Sequence, residues 1–260
     1  MTALRIAMVL VFVAWPAVVR AGAGTPVLVY HRFGPVVADS MTVRTSVFER
    51  QLEQLEQQDY TVISLRALVD HLRGEGSPPP ARAVVITVDD GHRSVYTEML
   101  PVLLRHRVPI TLFAYPSAVS RIGYALTWEQ LRDLAATGLV HIHSHTYWHP
   151  NFAQEKRRLS PAAYERLVDD QLKRSRDTLE NRLGTKVDML AWPFGIFDNE
   201  LMDRANRAGY IAAVTLDRRH ATMADAIMAL PRYLVTDGDT GVRFQALLEG
   251  RAASNGRRRR

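Results

Sequence analysis

Val84-Val85-Ile86-Thr87-Val88-Asp89-Asp90-Gly91 and, about 55 residues further along, His141-Ile142-His143-Ser144-His145-Thr146-Tyr147-Trp148-His149-Pro150 are the two stretches that decide how this chain reads. Each sets ionisable groups at the end of an apolar run. Such a run reads as a buried strand, and in α/β sheets and barrels reactive residues collect at the C-terminal ends of strands. The first stretch supplies two adjacent carboxylates. The second supplies two imidazoles four residues apart. One carboxylate with two histidines makes a three-ligand metal set that leaves positions open for water and substrate. The other carboxylate is then available as a base.

Outward from these stretches the chain alternates strand-like and helical segments. Strands are expected over 26–30, 60–64, 83–88, 110–115, 139–143, 189–192 and 211–216. Helices are expected over 46–58, 65–72, 94–106 (despite Pro101), 127–137, 161–183, 199–208 and 240–248, with Thr127 as an N-cap and Gly138, Gly184 and Gly209 as stops. This alternation implies a mainly parallel sheet covered by helices in a single α/β domain. Periodicity alone does not separate a closed barrel from an open doubly wound sheet.

The 260 residues suffice for one sizeable core. The net charge of +6 comes from the chain ends: setting aside Arg5, Arg20 and the four arginines 257–260 leaves bases and acids balanced at 27 each. A near-neutral body argues against a nucleic-acid partner. Residues 1–23 read as a secretory signal peptide, with a short basic start, an apolar run over 6–19 and the small-residue site Ala21-Gly22-Ala23; an uncleaved anchor is the alternative. After cleavage no stable membrane insertion is expected, because no other long apolar segment exists. Residues 251–260 read as a basic disordered tail, which leaves 24–250 as the folded domain. There is no cysteine, hence neither a disulfide nor a thiolate ligand. Export to a bacterial periplasm or medium, as a monomer, is the expectation.

The two stretches carry a resemblance. Thr87-Val88-Asp89-Asp90-Gly91 resembles the T-F-D-D-G motif of the polysaccharide deacetylases (NodB-like, carbohydrate esterase family 4), and His145-Thr146-Tyr147-Trp148-His149 matches their H-[ST]-x-x-H motif. Trp192-Pro193-Phe194-Gly195 is similar to part of the third motif. Val27-Leu28-Val29-Tyr30-His31-Arg32-Phe33, Met41-Thr42-Val43, Phe48-Glu49-Arg50-Gln51-Leu52 and Leu230-Pro231-Arg232-Tyr233 resemble the branch of bacterial poly-N-acetylglucosamine deacetylases. The resemblance covers roughly residues 26–236 and implies a distorted (β/α)7 barrel.

It also implies roles. Asp90, His145 and His149 would bind a divalent metal, zinc first, with cobalt, nickel or iron also suited to such ligands. Asp89 would be the base; charge alone does not decide which aspartate is which. Thr146 would hold the motif loop by hydrogen bonding. Phe194 would offer its backbone N–H to an oxyanion, and His31 would protonate the leaving amine. Ala191 stands where the family has an arginine that orients the catalytic carboxylate, and Arg232 is the candidate to replace it from another strand. His143 either packs beneath the site or adds a metal contact. Among the aromatic residues near the motifs, Trp148 and Trp192 are the candidates to face a sugar.

The resemblance thus implies metal-dependent removal of N-acetyl groups from an exported or envelope glycan containing N-acetylglucosamine. The alternatives are de-O-acetylation, action on peptidoglycan or chitin oligomers, and a catalytically weak glycan-binding protein, the last motivated by Ala191.

Overall fold

The computed structural model describes residues 24–251. The leader expected over 1–23, and all of the expected tail but Arg251, lie outside the described residues.

Strands β1 (Val27–Tyr30), β5 (Ala83–Val88), β6 (Ile110–Ala114), β7 (Val140–Ser144), β8 (Met189–Ala191), β9 (Ala212–Val214) and β10 (Tyr233–Leu234) form a sheet in the order β10-β1-β5-β6-β7-β8-β9. Every pairing is parallel. A further strand, β4 (Thr61–Ile63), pairs with the first half of β5, below the point where β6 joins it. Two short strands, β2 (Arg32–Gly34) and β3 (Thr42–Arg44), pair with each other beside the sheet; no alternating apolar pattern in the sequence announces them.

The sheet curls until its edges meet. Leu230 N–H donates to Ala213 O at 2.8 Å and Thr215 N–H donates to Leu230 O at 2.8 Å, so residue 230 lies along β9. Three residues later Tyr233 and Leu234 pair with Leu28 and Val29 of β1. The 230–235 segment therefore crosses from the last strand to the first and closes a distorted barrel with seven strands along its path.

Strands buried on both faces read as continuous apolar runs, and alternate residues then serve two cores. Val27, Val85, Phe113, Met189, Ala191 and Val214 point inward and cluster with Leu65, Leu68 and Val69 of α2 (Leu65–Leu72). Leu28, Val84, Ile86, Leu112, Leu190 and Trp192 point outward against the surrounding helices. Burying an aliphatic side chain of this size contributes about 1.5–3 kcal/mol.

Those helices are α1 (Thr45–Gln57), α3 (Leu100–His106), α4 (Trp128–Ala136), α5 (Phe152–Arg158), α6 (Pro161–Leu183), α7 (Asn199–Arg207) and α8 (Val242–Leu248). The starts follow local chemistry. Ser64 accepts from Ala67 N–H, Asp198 accepts from Leu201 N–H, and Thr127 with Gln130 forms a reciprocal capping box. The longest helix, α6, opens on Pro161, whose missing N–H would be unpaired there in any case. It ends at Gly184 with φ 69°, and it buries Tyr164, Val168, Leu172 and Leu179 along one stripe.

The helix expected over 94–106 is divided: a π-turn at Val95–Met99 precedes α3. Pro101 then falls in the first turn of α3, where its ring and missing N–H are tolerated. No apolar periodicity announces α5, a short helix with one buried apolar residue, Phe152.

Candidate active site

The C-terminal ends of β5 and β7 are neighbours of the same β6, so the two motif stretches emerge side by side. Asp89 follows β5 directly, and its N–H donates to Tyr30 O of β1 at 2.9 Å. Asp90 has φ 73° and Gly91 has φ 67°. Two successive left-handed residues turn the chain back over the barrel mouth, a conformation that glycine adopts without penalty and aspartate tolerates better than most residues.

The His145–His149 segment is a loop, with Thr146 at φ 64° and His149 at φ 63°. Thr146 ties it down. Its Oγ1 accepts from His149 N–H at 3.2 Å, its carbonyl accepts from the Ser175 hydroxyl at 3.0 Å, and its N–H donates to Ser144 Oγ at 3.1 Å. Gln171 Oε1 accepts from Trp148 N–H at 2.9 Å. Ser175 and Gln171 both belong to α6, so the longest helix anchors the loop. Residues held in the left-handed region cost on the order of 1 kcal/mol or more each, and such strain clusters at functional sites.

These turns bring together Asp90, His145 and His149, whose ligand-type atoms all lie within 4.8 Å of one another. Asp90 Oδ1 is 3.5 Å from His145 Nε2 and 3.7 Å from His149 Nε2. His145 Nδ1 is 2.8 Å from Ala191 O. A carbonyl only accepts, so Nδ1 carries the proton and Nε2 presents its lone pair toward Asp90. His149 is pushed down to about 4, chiefly by burial and then by the neighbouring His145, so its ring is neutral near pH 7.

Asp89 lies beside this trio, its Oδ2 3.9 Å from His145 Nε2. It is almost fully buried and faces Arg232, whose side chain is 0% exposed. Arg232 Nη1 donates to Asp89 Oδ1 at 2.8 Å and Nη2 donates to Oδ2 at 2.7 Å. The same guanidinium donates to Thr87 Oγ1 at 3.0 Å and to Thr215 O at 2.9 Å. Burial alone would raise the Asp89 carboxyl. The charge and the paired hydrogen bonds of Arg232 outweigh it and hold the group well below the usual carboxylate range. Arg232 thus reaches Asp89 from the segment that closes the barrel, and not from the strand that carries Ala191.

His31 follows β1, and the charges of Asp89, Asp90 and Arg232 act on it. Its Nδ1 is buried with no hydrogen-bond partner among the described residues. Burial lowers its proton affinity, and the two aspartates act against that. Phe194 is kinked at φ 57° and lays its ring edge-on against His149 at 4.6 Å. Trp148 stands at the rim, 42% exposed.

One expected position differs. Trp192 does not face the site: it is 1% exposed, its Nε1–H donates to Met228 O at 2.9 Å, and it packs edge-on against Phe152. It follows inward-facing Ala191 and so points outward, into the layer between sheet and helices. Of the two readings of His143, packing is the one observed. The residue lies deeper, 6.4 Å from the Phe113 ring, with Nδ1 4.0 Å from Asp188 Oδ1. Tyr115 also borders the site, its ring 5.6 Å from that of His149; no motif marks it, and only the end of an apolar run hints at its place.

A parallel barrel with carboxylates and imidazoles gathered at the C-terminal strand ends defines an α/β-barrel protein with a hydrolase-like centre. The family model for polysaccharide deacetylases matches residues 76–213, more than half of the chain, which therefore belongs to the polysaccharide deacetylase family. Among its relatives is the poly-beta-1,6-N-acetyl-D-glucosamine N-deacetylase of Escherichia coli (strain K12), 28% identical over 244 residues that include 80% of this chain and 36% of that protein. This chain therefore spans about a third of that relative. The structure of IcaB from Ammonifex degensii superposes with a TM-score of 0.75 at 28% identity, covering 88% of this chain and 98% of the other. Streptococcus pyogenes deacetylase PplD, in complex with acetate, shares the fold with a TM-score of 0.77 at 21% identity, covering 87% and 99%.

Proposed function

We propose that this chain is a metal-dependent N-deacetylase acting on an exported or envelope glycan built from N-acetylglucosamine, of the β-1,6-linked type that the similar E. coli enzyme is named for. One observation carries the reading: a two-imidazole, one-carboxylate cluster within 4.8 Å, with a second, ionised carboxylate beside it held by a buried arginine.

The donor set fits a divalent cation, zinc above all. Its three members converge, His145 is fixed in the tautomer that frees Nε2, and His149 is neutral. Asp90, His145 and His149 would hold the ion, which when bound polarises the acetyl carbonyl and makes a water nucleophilic near neutral pH. Asp89 takes the proton of the attacking water; Arg232 fixes both carboxylate oxygens and keeps the group ionised. Thr146 holds the His145–His149 loop in place. Phe194 offers its backbone N–H to the oxygen that gains charge. His31 delivers a proton to the departing glucosamine nitrogen, so that the C–N bond breaks to give acetate and a free amine. Trp148 offers a rim surface for the glycan.

The Arg232–Asp89 pair supports catalysis over the binding-only alternative, because the charge absent at Ala191 is supplied from 230–235. The test is acetate release from β-1,6-linked N-acetylglucosamine oligomers by metal-stripped protein given back zinc, cobalt or nickel. Release that depends on added metal, and that falls at least ~100-fold in Asp89→Asn, is expected. No release with any metal would overturn the proposal.

A further inference from the structure

We infer that the outer face of Tyr124 is a stacking platform for a pyranose ring adjacent to the residue being deacetylated. This inference rests on the glycan reading above and adds a binding subsite to it. Tyr124 is 39% exposed, on the connection between β6 and α4, outside every motif.

An aromatic arc joins it to the metal cluster. The Tyr115 ring lies 5.6 Å from that of the ligand His149, and the Tyr115 and Tyr124 hydroxyls are hydrogen-bonded to each other. The Tyr124 ring in turn lies parallel to His92, 6.0 Å away at 11°, and His92 follows the Asp89-Asp90-Gly91 turn directly. The Tyr124 ring thus lies alongside an imidazole while 39% of the residue stays open to solvent.

The platform is fixed to the turn that carries both carboxylates. Leu126 N–H donates to Gly91 O at 2.9 Å, Arg93 N–H donates to Tyr124 O at 2.7 Å, and His92 and Ala125 pair in antiparallel fashion. His92 is itself oriented from outside the turn. Its Nδ1 accepts from Ser94 N–H at 3.2 Å and from the Ser94 hydroxyl at 2.8 Å, and Ser94 Oγ accepts from Phe33 N–H at 2.9 Å.

Chemistry selects the occupant. A pyranose offers a C–H face to a π surface and hydroxyls at its edge, and Tyr124 offers an aromatic face with the paired hydroxyls of Tyr115 and Tyr124 at one end. Because this surface begins one aromatic residue from the metal ligand, it suits a ring of the same chain as the reacting sugar. The consequence is a preference for oligomers over the single sugar.

The test measures binding of β-1,6-linked N-acetylglucosamine, single sugar and trimer, by calorimetry with zinc supplied, in the Asp89→Asn background so that hydrolysis does not interfere. The gain in affinity from single sugar to trimer is expected to shrink by about tenfold when Tyr124→Ala or Tyr124→Leu is added, in line with a lost aromatic contact. It is expected to persist within about twofold in Tyr124→Phe, which keeps the ring. A gain that survives both non-aromatic substitutions, or no trimer binding at all, overturns the platform. Acetate release by the unmutated chain is scored separately. Release with a gain indifferent to Tyr124 leaves the deacetylase reading standing and removes the subsite; a Tyr124-dependent gain without release does the reverse.

Discussion

Arg232→Met removes the counter-charge of Asp89 while keeping a side chain of similar length in a fully buried position. Four hydrogen bonds disappear with the guanidinium, two of them on the Asp89 carboxylate. Breaking a buried pair by deleting one member costs about 3–5 kcal/mol, because the remaining charge stays buried without compensation. That is a large share of the roughly 5–15 kcal/mol that holds a domain together. The reciprocal change, Asp89→Asn, strands the guanidinium instead. In the double variant neither charge remains, so its loss falls short of the sum by about 2 kcal/mol or more. The pH dependence carries a second signature. With Arg232 present, the folded-state Asp89 sits below its unfolded value, so its contribution is fully present above roughly pH 4 and fades as the pH falls further. In Arg232→Met burial acts with little opposition and raises the carboxyl, so the deficit grows as pH rises past about 4 and shrinks on acidification. Urea unfolding of the four proteins at pH 7 and pH 4, with chelator present throughout, measures both effects. Losses that add within about 0.5 kcal/mol, or a deficit that does not shrink at pH 4, would refute the reasoning.

Other consequences are open to test. Added zinc is expected to raise the melting temperature of metal-stripped protein, by an amount equivalent to about 2.7 kcal/mol at a hundredfold excess over Kd, and Asp90→Ala should abolish the rise; an unchanged rise would place the metal elsewhere. Because burial holds His149 at about 4, below its unfolded value near 6.5, the metal-free fold should lose stability as pH falls between those values, and His149→Leu should flatten that slope in chemical unfolding curves. Trp192→Phe leaves Met228 O without its donor and should cost about 1–3 kcal/mol in unfolding experiments while glycan KM stays the same; a changed KM would return Trp192 to the glycan surface. Ser175→Ala removes the hydroxyl that bonds Ser144 and the Thr146 carbonyl, and should cost about 1–3 kcal/mol as well as weakening metal binding.

What was legible from sequence follows how local each determinant is. The strand Ala83–Val88 and the helices Leu65–Leu72 and Pro161–Leu183 stand where the sequence places them, because apolar runs, caps and stops are written within the segments themselves. The aspartate pair and the two loop histidines could be grouped because each motif is contiguous. Trp192 was misplaced for a physical reason: on a parallel strand buried on both faces, composition does not say which alternate residues point into the barrel. The bond between Arg232 and Asp89 spans 143 positions, and nothing local to either residue specifies it. Tyr115 and Tyr124 meet through loop geometry, which no periodicity encodes.

The segment that closes the barrel bears on how the molecule comes into being. A chain made from its N-terminus commits the Asp89 strand early, whereas Arg232 and the strand that seats it beside β1 emerge near the end. Pairings between distant parts of a chain form slowly, since the long loop must be closed before the contact repays it. Until that happens the Asp89 carboxylate has no guanidinium to face and cannot be sealed from water at low cost. Its burial is therefore deferred to the last stage of assembly, and a chain truncated before residue 232 would retain both motifs while lacking the means to ready them.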